Sequence, residues 1–452
     1  MVDLHFLTTK QLSPYIKNKQ LSPVELTKHF LTRIDQVNPI VHAYITPLHE
    51  IALQQAKKAE IEIMNSHYKG PLHGIPIGIK DNYFTKGIRT TAGSKRLADF
   101  IPEFTARSVD NLLSKGAIML GKLNMHEFGG GLTNTNPFYG HTRNPWNIQY
   151  TPGGSSGGSG AALASGLATL ATGTDTFGSI RVPAAMCGVY GLKPTYDLIS
   201  TDGVMPLAWS LDHPGPMARS VSDLALMLPP MAGSDAIEHP DLTRSIEGLK
   251  IGVPSFFLED LDHDVEYLFL KAIQTLKSLG AELTEITIPE LSMASFAGYV
   301  ITTGEATAFH SHWLMNPEFY AIDVRVFFQA GLLTTTLQYI RSQQIRRQLT
   351  LAFKGAFGKV DVILGPTVPI TTPPFLSNWV DQNLDIIQRC MPFTSPATLT
   401  GLPSLSVPIG LSSEGLPIGM QLIGNHFTES MLLQAGHVWE STDPLRVTVQ
   451  SS

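Results

Sequence analysis

The sequence predicts an α/β fold in one large domain, on three observations. Strand and helix patterns alternate. Ile75, Ile77 and Ile79 recur with period two, residues 105–115 read as a helix stopped at Gly116, and 117–122 (AIMLGK) read as a buried strand. That order is a βαβ arrangement. The chain is 452 residues long, 43% hydrophobic and only 15% charged, so a sizeable core is expected and disorder is not. No internal repeat and no clean linker divides it, so residues 1–452 read as a single unit.

The elements follow in order. Residues 1–66 read as helical. Ser22-Pro23-Val24-Glu25 has the form of a capping box with Pro at the first helical position. Val24, Phe30, Leu31, Ile34 and Val37 give one apolar face, and Asn38-Pro39 is the expected stop. A second helix pattern spans 47–63, and the alternating isoleucines then lead into Lys80. Residues 151–190 open with a Gly/Ser cluster, pass through a small-residue helix pattern and end near a second pair, Gly178-Ser179. A flexible linker would stay polar, whereas this run turns apolar and carries Asp175, Arg181 and Pro183. Ser220 to Asp223 reads as a helix cap, and 249–254 as a strand. Helix and strand patterns follow at 264–279 and 281–287. Residues 290–345, richer in aromatics, read as a helical insertion able to wall a pocket. Residues 360–366, 405–410 and 419–424 read as further core strands.

Composition excludes several function classes. Net charge is −6 with no basic run, which argues against a nucleic-acid surface. Two cysteines, Cys187 and Cys390, cannot build a disulfide framework and suit a reducing compartment. No signal-peptide pattern and no run of about 18 apolar residues occurs. The expectation is a cytoplasmic protein.

Several chemical motifs fail on inspection. Gly153 to Gly157 matches the G-x-S-x-G nucleophile elbow, but Thr151-Pro152-Gly153 replaces the apolar strand that an elbow needs. Lys193 is followed by Pro, so no phosphate-binding Lys-Ser/Thr motif exists. His126-Glu127 has Gly130 where a zinc-binding H-E-x-x-H needs its second His. What remains is Lys80 at the end of an apolar strand, Ser155 in GGSSGGSG and Ser179 in DTFGSIR. A Lys in that position is costly to bury unless it is neutral or paired. Taken singly, the Lys reads equally well as snorkelling and the serines as turn-forming.

Together these residues resemble the amidase signature enzymes. The motifs are GIPIGIKDN (74–82), TTAGS (90–94), TPGGSSGGS (151–159), GTDTFGSIRVPAAMCGVYGLKPT (173–195) and SLDHPGPMARSVSD (210–223), with further similarity near both ends. The spacings, 75 residues from Lys80 to Ser155 and 24 from Ser155 to Ser179, are those of the family. The resemblance, with strands spread from 75 to 424, implies a mixed central sheet with helices on both faces. It implies Ser179 as nucleophile, Ser155 as a bridging serine held by a cis peptide, and Lys80 as general base. It also implies an oxyanion hole from the N–H groups of Thr176, Phe177, Gly178 and Ser179. Asp175 and Arg181 would form a local ion pair holding this loop, and Asp212 would support it. Lys-Ser-Ser chemistry calls for neither a metal nor any other cofactor.

Within the family two branches compete. Arg346 matches the carboxylate-binding Arg of the glutaminase subunit of tRNA-dependent amidotransferases. Phe177 stands where many members have Gly, and Met391 falls where that glutaminase has an acidic residue. A methionine cannot pair an ammonium group. The reading is therefore a stand-alone amidase cleaving an aliphatic or aryl amide, or a carbamate. The alternative is the glutaminase subunit of a tRNA-dependent amidotransferase. Phe177, Met391 and Arg346 are the expected substrate contacts. The expected partners are a small-molecule amide or carbamate and a second copy of the chain, with no nucleic acid and no membrane.

Overall fold

Strands buried on both faces need a helix layer above and below. In the computed structural model, β2 (Pro76–Lys80), β3 (Ile118–Leu123), β4 (Leu170–Asp175), β6 (His213–Ala218) and β11 (Pro417–Gly424) are buried at every position. Residues 3–233, 240–442 and 445 are described. The other strands are β1 (Tyr44–Pro47), β5 (Tyr190–Lys193), β7 (Lys250–Pro254), β8 (Glu282–Ile286), β9 (Val362–Pro366) and β10 (Ser404–Leu411). All eleven form one sheet in the order β1-β3-β2-β4-β6-β5-β10-β11-β9-β7-β8. The sheet is mixed: β3, β2 and β4 run parallel, as do β9, β7 and β8, while β4, β6, β5, β10, β11 and β9 alternate in direction. The predicted α/β class with a mixed central sheet flanked by helices holds. Among the described residues, no helix is long and apolar enough to cross a membrane.

The N-terminal 66 residues are not wholly helical, because β1 pairs antiparallel with β3 and edges the sheet. Nor does Asn38-Pro39 stop its helix, which runs Pro23–Val41. Pro39 lies in the last turn, where its missing N–H removes a single bond. Termination comes instead at His42, whose φ is 51° and whose N–H bonds the Asn38 carbonyl. The Ser22 hydroxyl caps Val24 and Glu25, but it donates to Glu60 rather than completing a box with Glu25.

The 290–345 insertion becomes helices Ala294–His310 and Ile322–Ala330, followed by Thr336–Ala356. Their inner faces join two apolar clusters separate from the main core. One of these clusters packs around the Gly/Ser stretch and holds Phe177, Met391 and Phe327. The helix Trp379–Leu399, interrupted in sequence by Pro392 and Pro396, is buried along most of its second half and supplies another wall.

Candidate active site

β2 delivers Lys80 to the sheet interior, where it is fully buried. Its Nζ lies 2.8 Å from Ser155 Oγ, 2.8 Å from Ser156 Oγ and 2.7 Å from Thr174 Oγ1. Burial lowers its pKa to about 7, against Asp175 and Asp212, which favour the ammonium. A neutral amine has two protons to donate and one lone pair. The Ser156 hydroxyl can donate to the Thr174 carbonyl at 3.4 Å, and both Ser156 Oγ and Thr174 Oγ1 keep a lone pair for an amine proton. The Ser155 hydroxyl is then free to donate to the Nζ lone pair, as a proton relay requires.

The Gly/Ser stretch supplies both serines. The Gly154–Ser155 peptide is cis. The Ser155 carbonyl accepts from the His126 N–H at 3.1 Å, and the Ser156 N–H donates to the Ser179 carbonyl at 3.1 Å, so the two loops are tied directly. A Cβ on Gly154 would come within 2.9 Å of the Gly131 carbonyl oxygen and the Asn134 nitrogen, which is why backbone without a side chain is needed there. Ser179 is 1% exposed, and its hydroxyl has no hydrogen-bond partner among the described residues. The structure therefore joins Lys80 to Ser155 but forms no Ser155–Ser179 hydrogen bond. Such links commonly tighten when substrate binds.

Between β4 and the helix Arg181–Cys187 the chain turns around Asp175. Its carboxylate takes Arg181 Nε at 2.9 Å and Nη2 at 3.0 Å, all fully buried. Burial alone would raise the Asp175 pKa, but the Arg181 guanidinium outweighs it and holds the carboxyl well below the usual range. Arg181 also reaches Gln421 Oε1 and the Thr394 carbonyl. Asp212 accepts the Thr176 hydroxyl at 2.5 Å and the Leu207 and Ala208 N–H groups, and burial lifts its pKa to about 6. One expected oxyanion donor is withdrawn. The Gly178 N–H donates to Asp175 Oδ1 at 2.7 Å, because that carboxylate folds back over the turn. The N–H groups of Thr176, Phe177 and Ser179 make no hydrogen bond among the described residues.

Of the three expected substrate contacts, the structure brings two together. Phe177 and Met391 are 1% and 2% exposed and share one apolar cluster. The Thr394 hydroxyl, one turn beyond Met391, donates to the Phe177 carbonyl. Arg346 departs from expectation. Its Nε donates to the Leu399 carbonyl at 2.7 Å, and its other nitrogens to the carbonyl and hydroxyl of Ser210. Three of the five N–H donors of the guanidinium expected to bind a substrate carboxylate thus go to protein acceptors.

Sequence reasoning missed Ser156 and Thr174, the two oxygens that fix the Lys80 amine. The doubled serine in GGSSGG was the available signal. It also missed Asp81, which turns away from its neighbour Lys80 and pairs with a second buried lysine, Lys122, at 3.4 Å. His126 and Glu127, considered only as zinc ligands, instead contact the insertion: His126 Nε2 lies 2.9 Å from Asp323, and Glu127 accepts the Ala321 N–H at 2.7 Å.

Comparison with known proteins agrees with this geometry. The family model Amidase matches residues 25–433. The chain is 39% identical to a subunit of the glutamyl-tRNA(Gln) amidotransferase of Methylococcus capsulatus, over 97% of each chain. The structure of the corresponding amidotransferase subunit from Thermotoga maritima superposes with a TM-score of 0.81 at 30% identity, covering 98% of this chain and 96% of that one. A structure described as a vestigial protein complex, revealing the origins of an s-triazine catabolic enzyme, superposes at 0.90 and 32% identity, covering 96% and 98%. The amidotransferase relatives are named for a tRNA and as one subunit of an assembly. That overturns the expectation of a small-molecule amide or carbamate substrate with no nucleic acid among the partners. With the family model spanning most of the sequence and a relative this similar end to end, the chain belongs to the amidase signature family.

Proposed function

We propose that the chain cleaves a carboxamide through an acyl-enzyme on Ser179, acting as the glutaminase subunit of an amidotransferase-type assembly. The observation that carries the chemistry is the buried Lys80 amine against Ser155 at 2.8 Å, one loop away from the unpaired Ser179 hydroxyl. Neutral Lys80 takes the Ser155 proton, Ser155 takes that of Ser179, and Ser179 Oγ attacks the amide carbon. The developing oxyanion faces the N–H groups of Thr176, Phe177 and Ser179, each such donor being worth roughly 3 kcal/mol. The relay reversed protonates the leaving ammonia, and water then releases the acid. End-to-end similarity to these amidotransferase subunits supports glutamine as the amide and a tRNA-borne glutamyl group, presented by a partner subunit, as the ammonia acceptor.

A second reading, a stand-alone amidase for aryl or aliphatic amides or carbamates, is favoured by one feature. Phe177 and Met391 pack into one apolar cluster beside the nucleophile loop, and Arg346 is engaged by the protein itself. Ammonia release from glutamine, set against hydrolysis of an anilide and a carbamate, separates the two. Glutamine equal to or better than the anilide in kcat/KM supports the glutaminase. An anilide ahead by about tenfold or more, roughly 1.4 kcal/mol, supports the second reading. No turnover of any of the three, with Ser179 inert to a fluorophosphonate, refutes the shared chemistry.

A further inference from the structure

The nucleophile lies beneath a roof. The helix Ile322–Ala330 buries Phe327 and Phe328 and leaves Ile322 and Val326 outward. The Phe327 ring packs on Phe177, two residues before Ser179, with centroids 6.0 Å apart. Phe328 lies 6.4 Å from Phe128. Phe128 itself holds a left-handed φ of 49°, an uncommon conformation for an aromatic residue that the surrounding structure must enforce. The next residue, Gly129, is close enough to the relay that a Cβ there would sit 3.6 Å from Ser155 Oγ.

Two buried carboxyl groups clasp this roof to the turn beside Ser155. Glu127 accepts the N–H of Ala321, the residue that caps the N-terminus of the roof helix, at 2.7 Å and the Ser94 hydroxyl at 2.5 Å. Asp323 contacts His126 Nε2 and the Asn383 amide, each at 2.9 Å. Beside the relay, Phe128, Gly129, Thr174, Thr176, Leu207 and Asp212 line a cavity of about 10 Å³. That is room for one water, not for an acyl chain. An acyl chain at this point needs a neighbouring side chain to move. Phe177 and Phe327 lie outside that lining, and their stack packs against the nucleophile loop itself, two residues before Ser179.

We propose that Phe327 is a specificity-determining residue that limits the length of the acyl group reaching Ser179, and that Glu127 and Asp323 are positioning residues that hold it there. This rests on Ser179 being the nucleophile and not on glutamine being the substrate. Activated esters test it without knowledge of the natural amide. The kcat/KM for p-nitrophenyl octanoate relative to the acetate is measured in the wild-type chain, with Ser179→Ala as blank. Phe327→Ala is expected to raise that ratio at least about tenfold, Phe327→Leu to raise it less, and Glu127→Ala to raise it while Glu127→Gln leaves it unchanged. An unchanged ratio in Phe327→Ala, or in Phe327→Leu should the alanine variant fail to fold, overturns the proposal. Acetate and octanoate falling together by the same factor also overturns it, since that is the mark of general damage. Absence of any Ser179-dependent acylation by the acetate refutes the nucleophile assignment instead, and the roof proposal falls with it.

Discussion

Lys80 should make the enzyme lose activity in acid with a single-proton slope. Burial moves its pKa from the ordinary 10.5 to about 7, a displacement worth about 5 kcal/mol at 1.36 kcal/mol per unit. At pH 7 about half of the molecules then carry a neutral amine, against about one in 3,000 for a lysine in water. Availability of the base is thereby raised roughly a thousandfold, within the range that general-base catalysis contributes. At pH 5 only about 1% is neutral, so kcat/KM should fall about fiftyfold from its value at pH 7. Above about pH 8 it should level off. The assay is the pH profile of kcat/KM for wild type and Lys80→Ala, the variant losing about 10³-fold together with the acid limb. A flat wild-type profile from pH 5 to 9, or a variant that keeps the limb, would refute the assignment. Stability runs with the same sign. Between about pH 7 and 10.5 the unfolded lysine holds a proton that the folded one has released, so stability rises with pH there. Lys80→Met should raise Tm more at pH 6 than at pH 10.

Other outcomes follow from the same geometry. Ser179→Ala should abolish turnover and fluorophosphonate labelling, whereas Ser155→Ala should retain more of both, because a water can stand in for a bridging hydroxyl; equal loss in both variants argues against separate roles. Arg181→Ala leaves Asp175 buried and unpaired and should cost about 3–5 kcal/mol, read as a fall in denaturation midpoint; a change below about 1 kcal/mol would show the pair to be dispensable. Burial raises the Glu127 pKa from 4.5 to about 8, so between those values the unfolded chain has released a proton that the folded chain retains. Stability falls as pH rises through that window, and Glu127→Gln, which mimics the protonated acid, should flatten the fall. An unchanged pH dependence of Tm would refute that.

What the amino-acid order alone determined is local in origin. The period-two isoleucines before Lys80, the apolar runs of β3, β7, β9, β10 and β11, and the Gly/Ser stretch each carry their signal within a few residues. They were enough for the α/β class, whereas Lys80, Ser155 and Ser179 stood out as a set only through the resemblance of the surrounding motifs to the amidase signature enzymes. Tertiary structure decided whatever joins distant segments. β6 has two prolines and a glycine, residues that local propensity keeps out of strands, yet it pairs with both β4 and β5. The helix Trp379–Leu399 carries two breakers and stays helical within a buried wall. The Glu127 and Asp323 clasp spans 194 and 197 residues, and the Thr394 contact with Phe177 spans 217. Such pairings are chosen by burial and by the need to satisfy buried polar groups, not by local propensity. The same need turned the Gly178 N–H toward Asp175 and Arg346 toward Ser210 and Leu399, two commitments that leave no trace in their neighbouring residues.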